Sequence, residues 1–206
     1  MKRFKLIGLT GTTGAGKSEA AQLFRESGYE VIYADFLARE IMNNPIVLSC
    51  LCGSFGSDVV TDNKLNRELL AERAFKNSDT KKLLDSVTHP FITALFLSEV
   101  KRMSGLGAKR ILFDASQLFE SGLNEICDCV ISVTAPEDIR LRRITERDGL
   151  TIEQAKERMS VQFSDDYFRE NSDFVIENNR DFASFKQAVG KIIKTLEVQF
   201  GSDEKA

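Results

Sequence analysis

The sequence predicts an α/β fold: a five-stranded parallel sheet flanked by helices, together with a helix-rich lobe and a lid. Three observations carry this prediction. Five short apolar segments alternate with helical sequence, a glycine-rich loop joins the first of them to a helix, and a long helix-rich stretch separates the second from the third. Such alternation is typical of a parallel sheet that helices cover on both faces.

The first two strands and their helices are predicted from apolar runs and helix stops. The apolar run over 4–9 predicts a strand, and the helix formers after the glycine-rich loop predict a helix that ends at Gly28. A second strand is predicted over 29–35. The helix after it should stop before Pro45, because a proline disfavours helical geometry in the preceding residue. Apolar residues three and four apart predict mostly helix over 46–103.

The second half of the chain supplies the other three strands, which are predicted over 109–116, 127–135 and 172–178. A final helix follows, since its apolar residues recur on one helical face. That face comprises Phe182, Phe185, Val189, Ile192, Ile193 and Leu196. The last residues, 201–206, are predicted to form a frayed tail.

Length, charge and hydropathy limit the kinds of protein this can be. A chain of 206 residues predicts a single domain over 1–206, with its core at about 1–45, 105–140 and 170–200. The formal net charge of −3 gives no sign of a nucleic-acid or anionic-membrane partner. No apolar run approaches the ~20 residues of a membrane span, and the first residues lack the apolar region of a signal peptide. We therefore expect a cytoplasmic protein, and a monomer rather than an obligate oligomer.

The four cysteines form two C-x-C pairs, Cys50 with Cys52 and Cys127 with Cys129. This spacing is shorter than that of the usual zinc sites, and the second pair lies in a predicted strand. We therefore predict reduced, structural thiols with no metal or catalytic role.

The glycine-rich loop contains the strongest motif in the chain. Its residues satisfy G-x-x-x-x-G-K-[ST] between a predicted strand and a predicted helix. In such a loop the backbone N–H groups point at phosphate oxygens, the lysine reaches the terminal phosphates and the hydroxyl binds Mg2+. The alternative is a glycine-rich turn with an exposed lysine. The predicted nucleotide-binding residues are Gly11, Thr12, Thr13, Gly14, Ala15, Gly16, Lys17 and Ser18, with Ser18 as the Mg2+ ligand.

Three classes of protein share this motif: small-molecule kinases, GTPase switches, and ATPase motors or binding modules. A GTPase of the common type carries N-K-x-D, whereas the nearest string, DNKLN, has Asn66 where the aspartate belongs. Motor ATPases usually end an apolar strand with Asp-Glu, whereas Asp114 precedes an alanine here. Asp114 either orients water around the metal or caps a helix at the strand end. These features favour a kinase.

Asp35 is the candidate general base. It follows the second predicted strand, and the carboxyl ends of parallel strands open onto the ligand crevice. A carboxylate there can accept the proton of an acceptor hydroxyl as that hydroxyl attacks the γ-phosphate. Capping of the following helix is the alternative role, and the two roles are compatible.

An arginine-rich stretch predicts a lid over about 140–162. Arg143 and Arg147 lie one helical turn apart and would face the same way, ahead of a flexible joint at Gly149. Two guanidinium groups on one face can neutralise polyphosphate charge when a lid closes. The alternative is a solvated helix with internal ion pairs. Its members would be Arg140, Arg142, Arg143 and Arg147, paired with Glu137, Asp138 and Glu146.

The chain resembles the dephospho-coenzyme A kinase family through segments that follow one another in order. They are IGLTGTTGAGKS, ADFLARE, GSFGSDVVTDNKLNRELLAERAF, THPF, LFE, RRITERDGLTIEQAKERMSVQ and SDFVIENN. The resemblance implies a P-loop kinase fold in which Mg2+ and ATP serve to phosphorylate the 3′-hydroxyl of the ribose of dephospho-coenzyme A, the last step of coenzyme A synthesis. It also implies that Asp35 is the base and that Arg143 and Arg147 are lid arginines. Arg158 and Gln162 would lie in the lid-flanking helix.

The resemblance further implies a set of ligand-binding residues, with the acceptor lobe over about 46–103. His89 stands where the family lines the coenzyme pocket, but a lone histidine before Pro90 equally suits a helix break. Asn178 matches the segment that meets the adenine of ATP, or it forms a plain strand-end turn. The remaining substrate-binding candidates are Thr10, Asp35, Arg39, Arg67, Leu118 and Glu120.

The chain also departs from the family pattern. In the loop Thr12 and Thr13 replace the usual Gly-Ile, and Tyr33 replaces an acidic residue two positions before the base. Ser116 and Gln117 stand at apolar positions near the acceptor pocket. Another small-metabolite or nucleotide kinase, or a non-catalytic nucleotide-binding regulator, therefore stands as an alternative.

Overall fold

The computed structural model describes residues 4–201 and contains a five-stranded parallel sheet in the order β2-β5-β1-β6-β7. All five predicted strands are present, so the predicted fold class is confirmed. Of the predicted frayed tail, Gly201 ends a helix and residues 202–206 lie outside the described residues. The strands are β1 Lys5–Gly11, β2 Glu30–Tyr33, β3 Val60–Thr61, β4 Lys64–Leu65, β5 Arg110–Asp114, β6 Cys129–Thr134 and β7 Phe174–Glu177.

Helices fill most of the chain between the strands. None of the helices within residues 4–201 pairs enough length with enough apolar character to span a membrane. Short 3₁₀ turns lie at Ser57–Val59 and Leu123–Ile126. The helices are α1 Lys17–Glu26, α2 Ala34–Ile41, α3 Pro45–Phe55, α4 Arg67–Ala74, α5 Ser78–Gly105, α6 Glu137–Asp148, α7 Ile152–Ser160, α8 Asp165–Asn171 and α9 Phe182–Gly201.

The chain divides into two compact units, one formed by the residues up to Ile32 together with those from Met103 onward, the other by Tyr33–Arg102. The first unit carries the large sheet, and the second carries α2 to α4 with most of α5. The second unit begins at Tyr33, whereas the sequence placed the start of the helical lobe near residue 46. The assignment of domains stays a prediction.

The sheet of the first unit is buried where strands are flanked on both sides. Every residue of β6 is buried, since β1 and β7 pair with it and helix α8 contacts it. Helix α9 contacts α1 and β7. Its buried residues are Phe185, Val189, Ile193, Leu196 and Phe200. The expectation that Phe182 shares this packed face is wrong. It is the first residue of α9, lies beyond the packed stretch and is 61% exposed.

Parallel register brings several strand ends to one edge of the sheet. Leu9 of β1 lies opposite Asp114, the last residue of β5, and Gly11 lies opposite Val133 of β6. Thr134 at the end of β6 lies opposite Glu177 at the end of β7. The glycine-rich loop therefore leaves β1 at the edge where the carboxyl ends of its neighbours also lie.

The second unit has its own apolar core, formed by residues from α2, α3, α4 and the turn between them. Arg73 of α4 links this helix to the end of α3 and to the 3₁₀ turn that follows α3. Its guanidinium donates to the Phe55 carbonyl at 2.5 Å and to both carboxylate oxygens of Asp58 at 2.6 Å. The core residues are Ile41, Val47, Leu51, Phe55, Val59, Leu70 and Ala74.

The DNKLN string forms a hairpin and a helix cap. Asp62 and Asn63 have φ angles of 52° and 59°, the left-handed geometry that a tight turn between β3 and β4 requires. Asn66 caps α4, because its side-chain oxygen accepts from the Leu69 N–H at 3.1 Å. The residues of the DNKLN string thus have structural roles, in a turn and in a helix cap. The hairpin itself was not predicted.

Helix α5 passes through Pro90 without ending there. The alternative in which His89 marks a helix break is therefore wrong. A proline within a helix removes one backbone hydrogen bond and crowds the preceding turn. In that turn the buried Thr88 hydroxyl donates to the Leu84 carbonyl at 2.9 Å.

Cys129 opens β6 and is buried. Burial raises the pKa of its thiol to about 12, and the nearby Asp173 carboxylate adds to the effect. The thiol therefore stays protonated at neutral pH, and a protonated buried thiol is a poor nucleophile and a poor metal ligand. Within residues 4–201, no group of three or more His, Cys, Asp or Glu side chains is arranged to hold a metal.

Substitution of Gly56 by alanine should destabilise the second unit. Gly56 has φ 103° and ψ 147°, and an added Cβ would lie 2.6 Å from an Arg73 nitrogen and 2.9 Å from an Asp58 oxygen. Such a backbone costs a non-glycine residue about 1–3 kcal/mol. We expect Gly56→Ala to lower the free energy of unfolding by that amount in urea denaturation followed by circular dichroism.

Gly53 provides the matched control for this substitution. It lies within α3, where an added Cβ meets no atom within 4 Å. Gly53→Ala should therefore stabilise the chain by up to ~1 kcal/mol, the helix propensity gain of alanine over glycine. Equal effects of the two substitutions would contradict the role given to the backbone at Gly56.

Candidate active site

The glycine-rich loop connects β1 to α1 and is held by the main chain of its surroundings. The Thr12 N–H donates to the Val133 carbonyl at 3.3 Å, and the Ala15 N–H donates to the Thr12 carbonyl at 3.1 Å. Helix α1 begins directly after the loop, at Lys17. The free N–H groups and the positive dipole end of a helix start attract anions. The loop thus lies between a strand and a helix start, as the sequence predicted.

Lys17 forms an ion pair with Asp114 at the end of β5. The partners are adjacent because β5 pairs with β1, and both are largely buried, with side-chain exposures of 14% and 6%. The alternative of an exposed lysine is wrong. The alternative in which Asp114 caps a helix is also wrong, since the chain after β5 forms turns as far as the 3₁₀ turn at Leu123–Ile126.

Three side chains from the second half of the chain reach the loop backbone. The Asn178 side-chain amide donates to the Ala15 carbonyl at 2.8 Å. The Arg143 guanidinium donates to the Gly14 carbonyl at 3.2 Å and to the Asn178 side-chain oxygen at 3.2 Å. Gln162, which follows α7, accepts from the Thr13 N–H at 2.8 Å. The structure therefore brings Arg143, Asn178 and Gln162 together around the predicted phosphate loop.

Arg147 has a different partner from Arg143. Its guanidinium donates to both carboxylate oxygens of Asp148, at 2.7 and 2.8 Å, and Arg158 donates to the same carboxylate at 2.8 Å. The hydrogen bond from Arg147 is the largest cause that lowers the pKa of Asp148. Asp148 therefore pairs with the predicted lid arginine Arg147 and with Arg158 of the predicted lid-flanking helix, at the junction of α6 and α7.

The solvated-helix alternative for α6 does not describe Arg140 and Arg143, whereas Arg142 and Arg147 are exposed. Arg140 donates to the Ala135 carbonyl at 2.9 Å and lies 3.7 Å from the Asp165 carboxylate. Each of the three arginines with described contacts, Arg140, Arg143 and Arg147, therefore has a partner other than the predicted acidic residues. Those predicted partners were Glu137, Asp138 and Glu146. One face of α6 turns toward the loop, and the last turn of this helix carries the pair of Arg147 and Asp148.

The other predicted residues of the first unit fall into two groups. Ser18 and Glu120 are exposed, Ser18 in the first turn of α1 and Glu120 in the turns after β5. Thr10 and Leu118 are fully buried. Leu118 lies against Gly8 of β1, where an added Cβ would come within 2.6 Å of it. Neither side chain has surface exposed to a ligand.

In the second unit, Asp35 occupies the first turn of α2 and is exposed. The cap of α2 is Tyr33, and no side chain accepts a capping bond there, so the capping alternative for Asp35 is wrong. Arg39 is one turn further along the same helix, and Arg67 is the first residue of α4. Both arginines are exposed. His89 is half-buried in α5, with Nε2 3.8 Å from an Asp85 oxygen.

Sequence reasoning missed the contacts that Gln162, Asn178 and Asp148 make. Gln162 and Thr13 are separated by 149 positions, and no spacing rule connects them. Asn178 gave a usable signal, because it directly follows the last strand and parallel strand ends share one edge. For Asp148, the only signal in the sequence was its position between Arg147 and Gly149.

Comparison with known proteins identifies a family. The family model described as dephospho-CoA kinase matches residues 5–184. The dephospho-CoA kinase of Listeria innocua is 34% identical over 187 residues, which cover 90% of this chain and 94% of that protein. Two solved structures also match over most of the chain.

The crystal structure of TT1252 from Thermus thermophilus matches with a TM-score of 0.81 and 30% identity, covering 95% of this chain and 99% of that one. Dephospho-CoA kinase from Campylobacter jejuni matches with a TM-score of 0.70 and 28% identity, covering 96% of this chain and 98% of that one. These likenesses extend across the sheet and the helix-rich segment alike.

We expect Gln162→Glu to weaken binding of a nucleoside triphosphate. The side chain lies at the Thr13 N–H, within a loop that binds anions, so a carboxylate would repel phosphate there. The predicted change is about 10-fold in Kd, measured by isothermal titration calorimetry with ATP. Gln162→Met, which removes the acceptor and adds no charge, should bind ATP within about 3-fold of the unmodified chain. Equal weakening in both variants would contradict the electrostatic explanation.

Proposed function

Because this chain belongs to the dephospho-CoA kinase family, we propose that it transfers the γ-phosphate of ATP to the 3′-hydroxyl of the ribose of dephospho-coenzyme A. The products are coenzyme A and ADP, and the reaction is the last step of coenzyme A synthesis. The observation that carries the proposal is the family match over residues 5–184, a span that includes the phosphate loop, Asp35 and the arginines of α6. Cytoplasmic location and action as a monomer are part of the same proposal.

The triphosphate of ATP binds at the loop of residues 11–18 in this proposal. Lys17 is the buried cation of the site, and its pairing with Asp114 keeps it in place before a nucleotide arrives. A lysine that exchanges a carboxylate for phosphate oxygens keeps an anionic partner throughout, which limits the cost of its partial burial. Arg143 adds a second positive charge against the loop backbone.

The oxygen atoms of Ser18 and Asp114 suit a magnesium ion. Mg2+ prefers oxygen ligands and usually takes one or two from the protein, with phosphates and waters completing its shell. Ser18 is exposed in the first turn of α1, and Asp114 ends the strand next to β1. Ser18 would bind the ion directly, and Asp114 would act through its waters. When bound, the ion supplies charge neutralisation between the phosphates.

Asp35 acts as the general base in the proposed reaction. Its exposed carboxylate accepts the proton of the acceptor hydroxyl while the hydroxyl oxygen forms a bond to the γ-phosphorus and the bond to ADP breaks. Arg143 and Arg147 neutralise the developing charge, for which Arg147 exchanges Asp148 for phosphate. Arg39, Arg67, His89 and Glu120 offer polar groups to dephospho-coenzyme A, while Thr10 and Leu118 support the acceptor wall from the core.

The decisive assay measures ADP release from purified protein with Mg-ATP, with and without dephospho-coenzyme A. We expect acceptor-dependent release and a product whose mass increases by one phosphate on the ribose. A different preferred acceptor in a panel would favour another small-metabolite kinase. ATP binding without acceptor-dependent release from any member of the panel would favour a nucleotide-binding regulator.

Asp35→Asn should lower kcat by about 10²-fold or more while leaving the Kd of ATP nearly unchanged, since a general base contributes on this scale. Steady-state kinetics and calorimetry measure the two quantities. Asp62→Asn, the same chemical change at the β3–β4 turn, is the control and should leave both unchanged, because asparagine tolerates the φ of 52° found there. Near-normal turnover in Asp35→Asn would remove Asp35 from the catalytic role.

A further inference from the structure

Asn178 is one of the few buried polar residues of the described chain, with 6% of its surface exposed. It directly follows β7, and its backbone N–H donates to the Thr134 carbonyl at 2.8 Å, which continues the pairing of β7 with β6. The main chain at this position is therefore fixed by the sheet. A side chain held so firmly can position whatever it contacts.

Both ends of the Asn178 side chain are occupied by protein groups. Nδ2 donates to the Ala15 carbonyl at 2.8 Å, and Oδ1 accepts from Arg143 at 3.2 Å. Arg143 in turn donates to the Gly14 carbonyl at 3.2 Å and to the Ala15 carbonyl at 3.4 Å. Asn178 and Arg143 thus form a carbonyl clamp, a pair of side chains that hold two successive carbonyls of the phosphate loop.

The clamp determines where one amide of the loop points. The Ala15 carbonyl and the Gly16 N–H belong to the same trans peptide, in which C=O and N–H point in opposite directions. A bond that draws the Ala15 oxygen toward Asn178 therefore aims the Gly16 N–H away from Asn178. In loops of this kind, phosphate oxygens bind to N–H groups on the side opposite the carbonyls.

Gly16 is shaped to allow this contact. Its φ is 99°, and an added Cβ would lie 2.4 Å from Nδ2 of Asn178. A side chain at position 16 would therefore displace Asn178 from the loop as well as strain the backbone. Position 16 therefore requires glycine for two reasons, its backbone geometry and the space that the Asn178 side chain occupies.

We infer that Asn178 is a positioning residue for the triphosphate, which acts through the Ala15 carbonyl to orient the Gly16 N–H. This role differs from contact with the adenine base, which the family resemblance implies for this segment. The inference rests on the proposed function only for the premise that the loop binds a triphosphate. It makes no assumption about the binding of dephospho-coenzyme A.

The test separates phosphate binding from base binding by using two probes, ATP and inorganic tripolyphosphate. Calorimetry on the full chain should show that Asn178→Ala weakens both probes by a similar factor, about 10-fold, the scale of one lost hydrogen bond. Asn179→Ala, at the exposed neighbouring position, is the matched control and should change neither. Weakened ATP binding with unchanged tripolyphosphate binding would overturn the inference in favour of a base contact.

Asn178→Leu provides a second variant of similar size for the case that Asn178→Ala fails to fold. It removes the donor to Ala15 and the acceptor for Arg143, and it adds no charge that would repel phosphate by itself. We expect it to weaken tripolyphosphate binding about 10-fold, with a circular dichroism spectrum close to that of the unmodified chain. Unchanged affinity for tripolyphosphate in this variant would overturn the inference. Neither binding measurement depends on dephospho-coenzyme A, so failure here and failure of the proposed reaction are distinguishable.

Discussion

The parallel pairing of β1 with β5 and β6 places the phosphate loop, Asp114 and the end of β6 at one edge of the sheet. Leu9 lies opposite both Asp114 and Ile131, so the loop after β1 starts between a carboxylate on one side and the end of β6 on the other. A buried lysine without an anion nearby would be costly, and this register supplies the anion. The start of α1 adds positive potential at the same place. Groups far apart in sequence thereby act together without any long connecting loop.

The phosphate loop is flexible by composition but held from several directions. Glycine-rich segments lose much conformational entropy on ordering, so an ordered loop needs partners for its backbone. Here the partners come from β6, from α6, from the residue after β7 and from Gln162. Thr12 is buried, and its β-branched side chain restricts the chain further. The loop can thus keep an anion-binding shape before any anion arrives, which reduces the entropy that binding must overcome.

Much of this arrangement follows from local sequence, and the rest depends on tertiary contacts. The phosphate loop, the five strands and the position of Asp35 were predictable because apolar periodicity and motif spacing are local signals. The β3–β4 hairpin escaped prediction because each of its strands has only two residues. Pro90 pointed to a break within α5 that does not occur, since tertiary packing outweighs a local preference. The bonds from Asn178 to Ala15 and from Thr13 to Gln162 could not be predicted as pairs, because a hydrogen bond across 149 or more positions leaves no pattern along the chain.

The carboxylate shared by Arg147 and Arg158 has a consequence for ion selectivity. Two positive charges and one negative charge leave the group formed by Arg147, Asp148 and Arg158 with a net charge of +1. A chloride ion gains little by displacing Asp148, because it would replace one unit of negative charge with another. A triphosphate carries several charges and gains more from the same exchange. An internal counter-ion of this kind favours a polyanionic ligand over a small monovalent anion at these exposed arginines.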